Sequence, residues 1–335
     1  MRKKTLKEMR RKKRRRRIQY GILFALLALL LAFAGGKAWK NNHKNIGENS
    51  ASGSAGRRRS GDSAKAYYVS ADEAAEETAE QDASEEEESV SSGYTNQRID
   101  NIDSLDSTAQ YYSAGSGEKD ELGRPLGAVQ LQEKYGESYP VYFIGGAEDP
   151  PTIYITFTED YEGGYTDQIL NTLQQKGVKA TFFCSKSYLQ SASEQVERML
   201  SEGHEVGNAI TYREGGIVSE STDQQAAEIM ENHNYMEETY GYKMHLFRFP
   251  ANVFSEQSLA VVNNCNYEAV FFSYSYADYD IDNQPDVNTS LQNAINALHP
   301  GAIYLFQGYS STSANMLGSF IDGAQAAGYQ IGLLD

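Results

Sequence analysis

The chain has 335 residues and a formal net charge of -16 at pH 7, and this charge is unevenly distributed. Residues 1–19 carry 12 Lys and Arg against one Glu, which leaves 18 basic and 45 acidic side chains for the remainder. Such an acidic body repels nucleic acid, so nucleic acid is excluded as a partner, and the length allows one domain of ordinary size with accessory segments.

A basic segment and an apolar segment open the chain. Residues 1–17 are mostly basic, and residues 18–39 include an uncharged apolar run about long enough to cross the hydrocarbon core of a bilayer. The positive-inside rule predicts a single-pass signal anchor in the cell membrane, with the C-terminal domain extracytoplasmic. The sequence Ala32-Phe33-Ala34 also fits a signal-peptide site, and cleavage after Ala34 would give a secreted protein. The long basic region and the length of the apolar run favour the uncleaved anchor.

Residues 40–118 have the composition of a disordered linker. Ser, Gly, Ala, Glu and Asp dominate, Glu85 to Glu88 is an uninterrupted acidic run, and few large apolar side chains are present. Such a segment cannot bury enough apolar surface to offset the entropy lost on ordering. We predict a flexible, self-repelling spacer, which the composition favours over a binding motif, ahead of a folded domain at residues 119–335.

Short apolar strands and amphipathic helices alternate through this domain. The alternation predicts an α/β fold with a parallel sheet, and about seven units favour a deformed (β/α) barrel, in which ligands bind at the C-terminal ends of the strands. The predicted elements, in chain order, are strand Thr152–Phe157, helix Thr166–Gln175, strand Lys179–Cys184, helix Ser193–Ser201, strand His204–Gly207, helix Thr222–Tyr240, strand Met244–Phe247, helix Glu256–Asn264, strand Glu268–Ser273, helix Val287–Leu298, strand Ala302–Phe306, helix Ala314–Ala326 and strand Gln330–Leu333.

The first of these strands ends in a strongly polar turn. Residues 152–157 are β-branched or aromatic, as in a strand buried on both faces, and Thr158, Glu159 and Asp160 follow directly. We therefore expect chemistry at this turn first. The other polar residues at predicted strand ends are Glu162, Ser185, Lys186, residues 208–213, Arg248, Asp278, Tyr279, Asp280 and Gln307.

Motifs at these strand ends resemble a known family. The chain reads T-F-T-E from Thr156, A-T-F-F from Ala180, G-H-E-V-G-N from Gly203, F-R-F-P from Phe247 and L-F-Q from Leu305. In this order they resemble the NodB-type polysaccharide deacetylases, a carbohydrate esterase family with a deformed β/α barrel. The resemblance covers residues 122–335 and is closest to the subgroup that de-N-acetylates muramic acid in peptidoglycan, at Gln132–Gly136, Tyr142–Gly145, Tyr161–Thr166, Val253–Glu256 and His299–Ile303.

The resemblance implies what an active site would contain. In the family an aspartate acts as general base, an acidic residue and two histidines hold a metal that is commonly zinc, and a late histidine acts as general acid. Here Thr158 stands at the base position and Gln307 at the acid position. Glu159 keeps a carboxylate at the metal position, whereas Ala209 and Arg213 replace the histidines, and Arg213 would bring a cation to the cation site. We therefore predict no intact catalytic group and no metal cofactor, with zinc or another divalent metal expected only if the chain is active.

Other positions keep a family residue or suit sugar binding. Arg248 matches the arginine that orients the catalytic base, and Asp278 matches the aspartate of a D-W pair, so both are predicted to be supporting residues. Aromatic faces and phenolic hydroxyl groups suit pyranose rings, although tyrosines are common in this chain and surface decoration explains them equally well. The predicted substrate-binding residues are Tyr161, Tyr212, Asn252, Tyr279 and Tyr309, with Tyr274 and Tyr276 expected at the same mouth.

The remaining candidate ligands favour structural explanations. Cys184 and Cys265 lack a C-x-x-C motif, and we expect two buried free thiols in preference to a disulfide. The acids Glu159, Asp160 and Asp278 would suit a hard cation such as Ca²⁺, but exposed acids on an acidic protein are the favoured explanation. The domain's histidines lie away from the predicted strand ends: His204, His233, His245 and His299.

Three hypotheses about function follow from this sequence. The favoured one is a membrane-anchored, catalytically inactive deacetylase-like protein that binds peptidoglycan or another N-acetylated glycan at the cell wall. The second is an active metal-dependent de-N-acetylase that works through rearranged ligands. The third is a protein-binding scaffold in cell-wall assembly.

Overall fold

The structure, a computed structural model, describes residues 97–114 and 117–334. The predicted cytoplasmic segment, the predicted anchor and residues 40–96 of the predicted linker lie outside these residues and stay predictions. Within the described ranges, none of the helices has both the length and the apolar character that a membrane crossing requires.

A curled sheet of parallel strands forms the centre of the domain. The strands are β1 (Gln110–Tyr111), β2 (Val141–Tyr142), β3 (Thr152–Glu159), β4 (Thr181–Cys184), β5 (Glu205–Ala209), β6 (Leu246–Arg248), β7 (Val253–Phe254), β8 (Glu268–Val270), β9 (Tyr274–Ser275), β10 (Ala302–Gln307) and β11 (Gln330–Gly332). The order of the sheet is β2-β8-β6-β5-β4-β3-β10-β9, with β11 paired to β3, while β1 and β7 form a separate antiparallel pair. The α/β class and the parallel sheet predicted from the sequence are confirmed.

Helices fill most of the connections between these strands. The helices are α1 (Leu126–Tyr135), α2 (Thr166–Lys176), α3 (Lys186–Ser191), α4 (Ser193–Ser201), α5 (Thr222–Tyr240), α6 (Glu256–Asn264), α7 (Val287–Asn296) and α8 (Ser311–Ala326). The bounds predicted for α4, α5 and α6 agree with the structure, whereas α1 and α3 were not predicted. Serine side chains cap several helix starts; Ser221 and Ser255, for example, form capping boxes with Gln224 and Ser258.

The sheet curls because two successive strands pair with its opposite regions. β8 pairs with β6 and β2, and β9, which begins four residues later, pairs with β10. Between them, the Ser273 backbone N–H donates to the Ile303 carbonyl at 2.9 Å. The segment from Glu268 to Ser275 therefore links both sides of a half-barrel, and the C-terminal ends of its strands converge.

The central strand β3 is buried as its composition predicts. Ile153, Ile155 and Phe157 are buried, and the Phe157 ring stacks on Phe182 of β4 with 5.1 Å between ring centroids. β3 pairs with β10 along one side and with β11 and β4 along the other. This position fixes the polar turn that follows β3 in the middle of the convergent strand ends.

Residues 97–114 correct the predicted linker boundary, because they fold against the domain. β1 pairs with β7, and the Ile99 backbone N–H donates to the Asn264 side chain at 2.9 Å. Tyr112 is buried, and its hydroxyl donates to the Phe272 carbonyl. The linker was predicted from the polar composition of this segment, but its few apolar side chains pack against the domain. Tyr112, for example, packs on the rings of Phe143, Phe271 and Phe272.

The two cysteines are free thiols. Cys184 is buried at the end of β4, and Cys265 is half-buried after α6. Burial raises the pKa of both thiols, that of Cys265 to about 11, so both are neutral at physiological pH. The expectation of two free thiols is confirmed.

Candidate functional site

A pocket of about 800 Å³ opens at the C-terminal ends of β3, β5, β6 and β10. Arg248 and Gln307 are the last residues of β6 and β10, Thr158 is the last but one of β3, and these three form what we call the pocket floor. A short 3₁₀ turn after β6 and the loops after β3, β5, β9 and β10 supply most of the walls, and strands β1, β5 and β10 supply the rest. The wall residues are Tyr111, Asp160, Tyr161, Ala209, Ile210, Thr211, Tyr212, Glu214, Gly215, Phe249, Pro250, Ala251, Asn252, Tyr279, Ile281, Leu305 and Tyr309.

Arg248 is the charged centre of the pocket floor. Its Nη2 donates to Thr156 Oγ1 at 2.8 Å, its Nη1 donates to Thr158 Oγ1 at 3.2 Å, and longer bonds reach the backbone carbonyls of Val270 and Phe271. The guanidinium lies 4.0 Å from the centroid of the Phe183 ring. Burial lowers the pKa of Arg248 to about 9, so the group remains a cation at neutral pH.

Thr158 and Gln307 occupy the positions where the family resemblance implies a base and an acid. They are paired residues on the adjacent strands β3 and β10, and both line the pocket. A hydroxyl and a carboxamide donate and accept hydrogen bonds, but neither exchanges a proton at neutral pH. The structure thus brings these two predicted positions together without a group that could act as general acid or base at either.

Glu159 lies on the other side of the sheet from the pocket. Side chains alternate along a strand, and Thr158 and Asp160 line the pocket whereas Glu159 is fully buried beneath it. Neither carboxylate oxygen has a hydrogen-bond partner among the described residues. Burial, with smaller contributions from Glu162 and Asp160, raises the pKa of Glu159 well above its ordinary value, so burial disfavours the charged form of this acid.

Arg213 also lies outside the pocket, which corrects the expectation that it brings a cation to the site. Its guanidinium pairs with Glu228 at 2.5 Å and with Glu220 at 2.9 Å. Ala209 does line the pocket but offers no ligand atom. Of the two positions that carry histidines in the family, Ala209 therefore presents only a methyl group to the pocket, and Arg213 forms ion pairs outside it.

These residues do not fit the metal that the family implies. Of the three ligand positions, Glu159 faces away, Ala209 has no donor and Arg213 is a cation engaged elsewhere. No group of three or more His, Cys, Asp or Glu side chains in residues 97–114 and 117–334 could hold a metal ion. None of the described histidines His204, His233, His245 and His299 lines the pocket. That the protein works without a metal stays a prediction.

The three acids considered as a Ca²⁺ site are neither clustered nor exposed. Asp278 is fully buried outside the pocket, and its Oδ2 accepts the Gln307 backbone N–H at 2.8 Å and the Ser313 hydroxyl at 2.7 Å. Burial raises the pKa of Asp278 to about 6. Burial also raises the pKa of Asp160, whose carboxylate accepts the Tyr212 backbone N–H. Glu159 and Asp278 are therefore not exposed acids, and Asp160 is half-buried in the pocket wall.

Aromatic side chains form much of the pocket wall. The rings of Tyr161 and Tyr309 stack with 4.6 Å between centroids, and Tyr212 and Tyr279 are 66% and 67% exposed at the mouth. Asn252 lines the same wall in a left-handed backbone conformation with φ 55°. All five predicted substrate-binding residues thus line one pocket, whereas Tyr274 and Tyr276, expected beside them, do not.

Several wall residues were missed in the sequence. Tyr111 lies in the segment assigned to the linker, and Leu305 and Phe249 were not among the predicted site residues. The adjacent pair Tyr111 and Tyr112 was the available signal, because consecutive aromatic residues are unusual in a disordered linker. In the structure one of the pair is buried and the other is 74% exposed at the pocket.

Comparisons with known proteins identify similar sequences. Residues 145–270 match the polysaccharide deacetylase family. An uncharacterized 30.6 kDa protein of Geobacillus stearothermophilus is 33% identical over 207 residues, which are 62% of this chain and 76% of the relative. The peptidoglycan-N-acetylmuramic acid deacetylase PdaA of Bacillus subtilis is 30% identical over 200 residues, 59% of this chain and 75% of the relative.

Solved structures share the fold. The structure of Bacillus subtilis PdaA, a family 4 carbohydrate esterase, superposes with a TM-score of 0.61 and 27% identity, and the match covers 68% of this chain and 96% of that one. A carbohydrate esterase family 4 pseudoenzyme from Bacillus anthracis superposes with a TM-score of 0.52 and 20% identity over 59% of this chain and 68% of that one. At that identity the second likeness concerns the fold alone.

Proposed function

This chain belongs to the polysaccharide deacetylase family, and we propose that it is a catalytically inactive member that binds peptidoglycan or another N-acetylated glycan at the cell wall. One observation carries the proposal. The pocket at the strand ends is open and lined by tyrosines, while Thr158, Ala209 and Gln307 stand in it where the family has its base, a metal ligand and its acid.

Loss of hydrolysis follows from the chemistry of these side chains. Amide hydrolysis needs a group that removes a proton from water and a group that protonates the leaving amine. Thr158 and Gln307 do neither at neutral pH, and the pocket lacks a ligand set for a metal that would activate water. Asp160, one of the two carboxylates of the pocket wall, accepts a backbone N–H, and neither Asp160 nor Glu214 is at either family position.

The tyrosines of the pocket wall are suited to binding a glycan. The stacked pair of Tyr161 and Tyr309 offers a rigid aromatic surface, and the exposed rings of Tyr212 and Tyr279 flank the mouth. Stacking on aromatic faces and hydrogen bonding to phenolic hydroxyl groups suit sugar rings. Relatives named as peptidoglycan deacetylases of Bacillus subtilis and Bacillus cereus support peptidoglycan as the first glycan to test.

A retention experiment with the purified full-length chain tests this function. We expect the wild-type protein to sediment with insoluble peptidoglycan, and Tyr279→Ala to lower retention by about tenfold, the effect of losing one good aromatic contact. Leu122→Ala is the matched control, because Leu122 is 52% exposed but does not line the pocket. If neither the wild type nor Tyr279→Ala is retained, the scaffold hypothesis replaces this one.

Metal content and acetate release test for the loss of activity. We expect less than stoichiometric zinc in the purified chain and no acetate from N-acetylated peptidoglycan fragments. A stoichiometric, tightly bound metal together with acetate release would instead establish an active de-N-acetylase with rearranged ligands.

The proposed site of action is the outer side of the cell membrane. The basic residues 1–17 and the apolar run within residues 18–39 support a single-pass anchor with the domain extracytoplasmic. We expect the full-length chain to fractionate with membranes and its domain to be digested by protease added to intact cells freed of wall. Recovery of the chain from the culture medium, shortened to begin after Ala34, would show that the apolar run is a cleaved signal peptide.

A further inference from the structure

The pocket floor contains a buried cation without an anion. Arg248 is 3% exposed, and its bonds go to two threonine hydroxyls and two backbone carbonyls, which are all neutral. Among the described Asp and Glu side chains, none forms an ion pair with it. Burying a charge without a partner is costly, and folded proteins normally pair such a group or bring it to a ligand.

The sequence explains why Arg248 has no carboxylate beside it. The residue at hydrogen-bond distance from Arg248 Nη1 is Thr158, the position where the family resemblance implies an aspartate. Thr158 accepts a bond from the guanidinium but contributes no charge. The chain has therefore kept the arginine and lost the carboxylate beside it.

The pocket floor is also rich in unused hydrogen-bond donors. One N–H of Arg248 Nη1 has no acceptor among the described residues, and the Thr158 hydroxyl proton is likewise without one. Gln307 is paired with Thr158 across β3 and β10, and its side-chain amide makes no hydrogen bond within the described part of the chain. These three groups line the same pocket and offer a guanidinium, a hydroxyl and an amide to one ligand.

The acids of the pocket wall do not neutralise this floor. Asp160 accepts the Tyr212 backbone N–H and forms no ion pair with Arg248, and Glu214 is exposed on the loop after β5. They would, however, repel a ligand of high negative charge. A planar monoanion that accepts hydrogen bonds in one plane suits the floor best, because guanidinium groups bind carboxylates through such coplanar bonds.

We propose that Arg248, Thr158 and Gln307 form a carboxylate-binding site, so that the glycan of this pocket is one that carries a carboxylate on the sugar entering it. The assignment to a glycan rests on the function proposed above, whereas the anion site does not. The carboxylate occupies the place of the lost aspartate, against the Arg248 guanidinium, and the sugar ring lies between the floor and the tyrosine walls.

The test uses trifluoroacetate as a small carboxylate and follows its ¹⁹F line width with the purified full-length chain. We expect broadening that glucuronate reverses and glucose does not. Thr158→Asp should weaken the binding of trifluoroacetate by at least about tenfold, because the new carboxylate pairs with Arg248. Leu122→Asp is the matched control, because it adds the same charge at an exposed position outside the pocket, and it should bind trifluoroacetate within about threefold of the wild type.

Folding is checked by thermal unfolding of each variant. Thr158→Asp should raise the melting temperature, because it gives the buried cation a partner, so a loss of trifluoroacetate binding in this variant cannot come from unfolding. Equal binding by the wild type and Thr158→Asp would overturn the proposal. Stronger competition by sulfate than by glucuronate would also overturn it, since the floor would then prefer a tetrahedral dianion.

Peptidoglycan retention measured on the same samples separates this inference from the proposed function. Trifluoroacetate binding without glycan retention leaves the anion site standing and contradicts the glycan function. Glycan retention without trifluoroacetate binding contradicts the anion site and leaves the glycan function standing.

Discussion

The two faces of the sheet carry different chemistry at the ends of its strands. On the pocket face, Thr158 and Arg248 line the open pocket, and each has a hydrogen-bond donor without an acceptor among the described residues. On the helix face, Glu159, Cys184 and Asn208 are adjacent on β3, β4 and β5 and are fully buried. Consecutive residues of one strand thus meet solvent on one side and a sealed layer on the other, because side chains alternate along a strand.

The sealed layer shows how buried polar groups are accommodated when no ligand can reach them. The Asn232 amide donates to Asn208 Oδ1 at 2.8 Å and to the Cys184 carbonyl at 3.0 Å, and the Asn208 amide donates to the Ile229 carbonyl. Glu159 has no such partner, and burial raises its pKa and so disfavours its charged form. A carboxylate can therefore persist at a family position in sequence while being unable to act in the pocket.

The largest effect should come from filling the sealed layer. A methyl group added at Gly308 would overlap the fully buried Glu159 carboxylate. We expect Gly308→Ala to lower the free energy of unfolding by roughly 3 kcal/mol or more, measured by urea denaturation. Gly127→Ala is the control, because a methyl group there meets no atom within 4 Å in helix α1, and it should leave stability unchanged or slightly higher.

A second substitution sharpens the same point. In the background of Glu159→Ala, the overlapping carboxylate is absent, so Gly308→Ala should cost much less than in the wild type. An equal cost in both backgrounds would mean that Gly308 is required for another reason, and the close packing of Glu159 under the β10 turn would not explain its glycine.

Asp278 should make stability depend on pH. Its folded pKa of about 6 lies above its ordinary value of 3.8 because of burial. Between these values the folded state holds a proton that the unfolded state has lost, so stability falls as pH rises through this window. We expect a loss of about 2 kcal/mol between about pH 4.5 and 6, seen as the difference between wild type and Asp278→Asn in urea denaturation.

Asn keeps the acceptor for the Gln307 N–H and the Ser313 hydroxyl but does not titrate. Parallel stability profiles for the wild type and Asp278→Asn would show that Asp278 is ionised in the folded state across this range. Subtracting the Asp278→Asn profile from the wild-type profile removes the contribution of buried histidines such as His299, whose pKa is lowered to about 4 by burial.

The smallest effect is expected at Arg213. Its ion pairs with Glu220 and Glu228 are about one-third exposed, and pairs of this kind contribute at most about 1 kcal/mol. Arg213→Gln should therefore change stability by less than that and leave the binding of trifluoroacetate and peptidoglycan unaltered. A change in either binding would place Arg213 at the pocket after all and break the contrast drawn between the two faces.

Much of the fold could be predicted because local signals agree with the tertiary structure. The capping boxes at Ser221 and Ser255 and the apolar runs of β3 and β10 mark their elements directly in the sequence. Helix α1 was missed because Pro125 precedes it without a side-chain cap. The strand predicted at Glu268–Ser273 ends at Val270, and a separate strand begins at Tyr274, because the two strands pair with opposite sides of the curled sheet and only the whole sheet determines that break.

The sequence predicted which residues form the candidate site better than it predicted the directions in which their side chains point. Thr158, Arg248 and Gln307 follow from the rule that ligands bind where parallel strands end, and the structure brings them together. The side to which Glu159 points depends on where the pleat of β3 stops, and the side to which Arg213 points depends on the path of a loop. Neither property is encoded in the spacing of residues along the chain.

The folding of residues 97–114 onto the domain has a practical consequence for anyone who truncates this protein. A fragment that starts at residue 119, the boundary suggested by composition, would lack β1 and so leave β7 with an unpaired edge. It would also expose the aromatic rings that Tyr112 covers, which favours aggregation, and it would remove Tyr111 from the pocket wall. A fragment that starts at residue 97 keeps both, and is the shorter form that we would express.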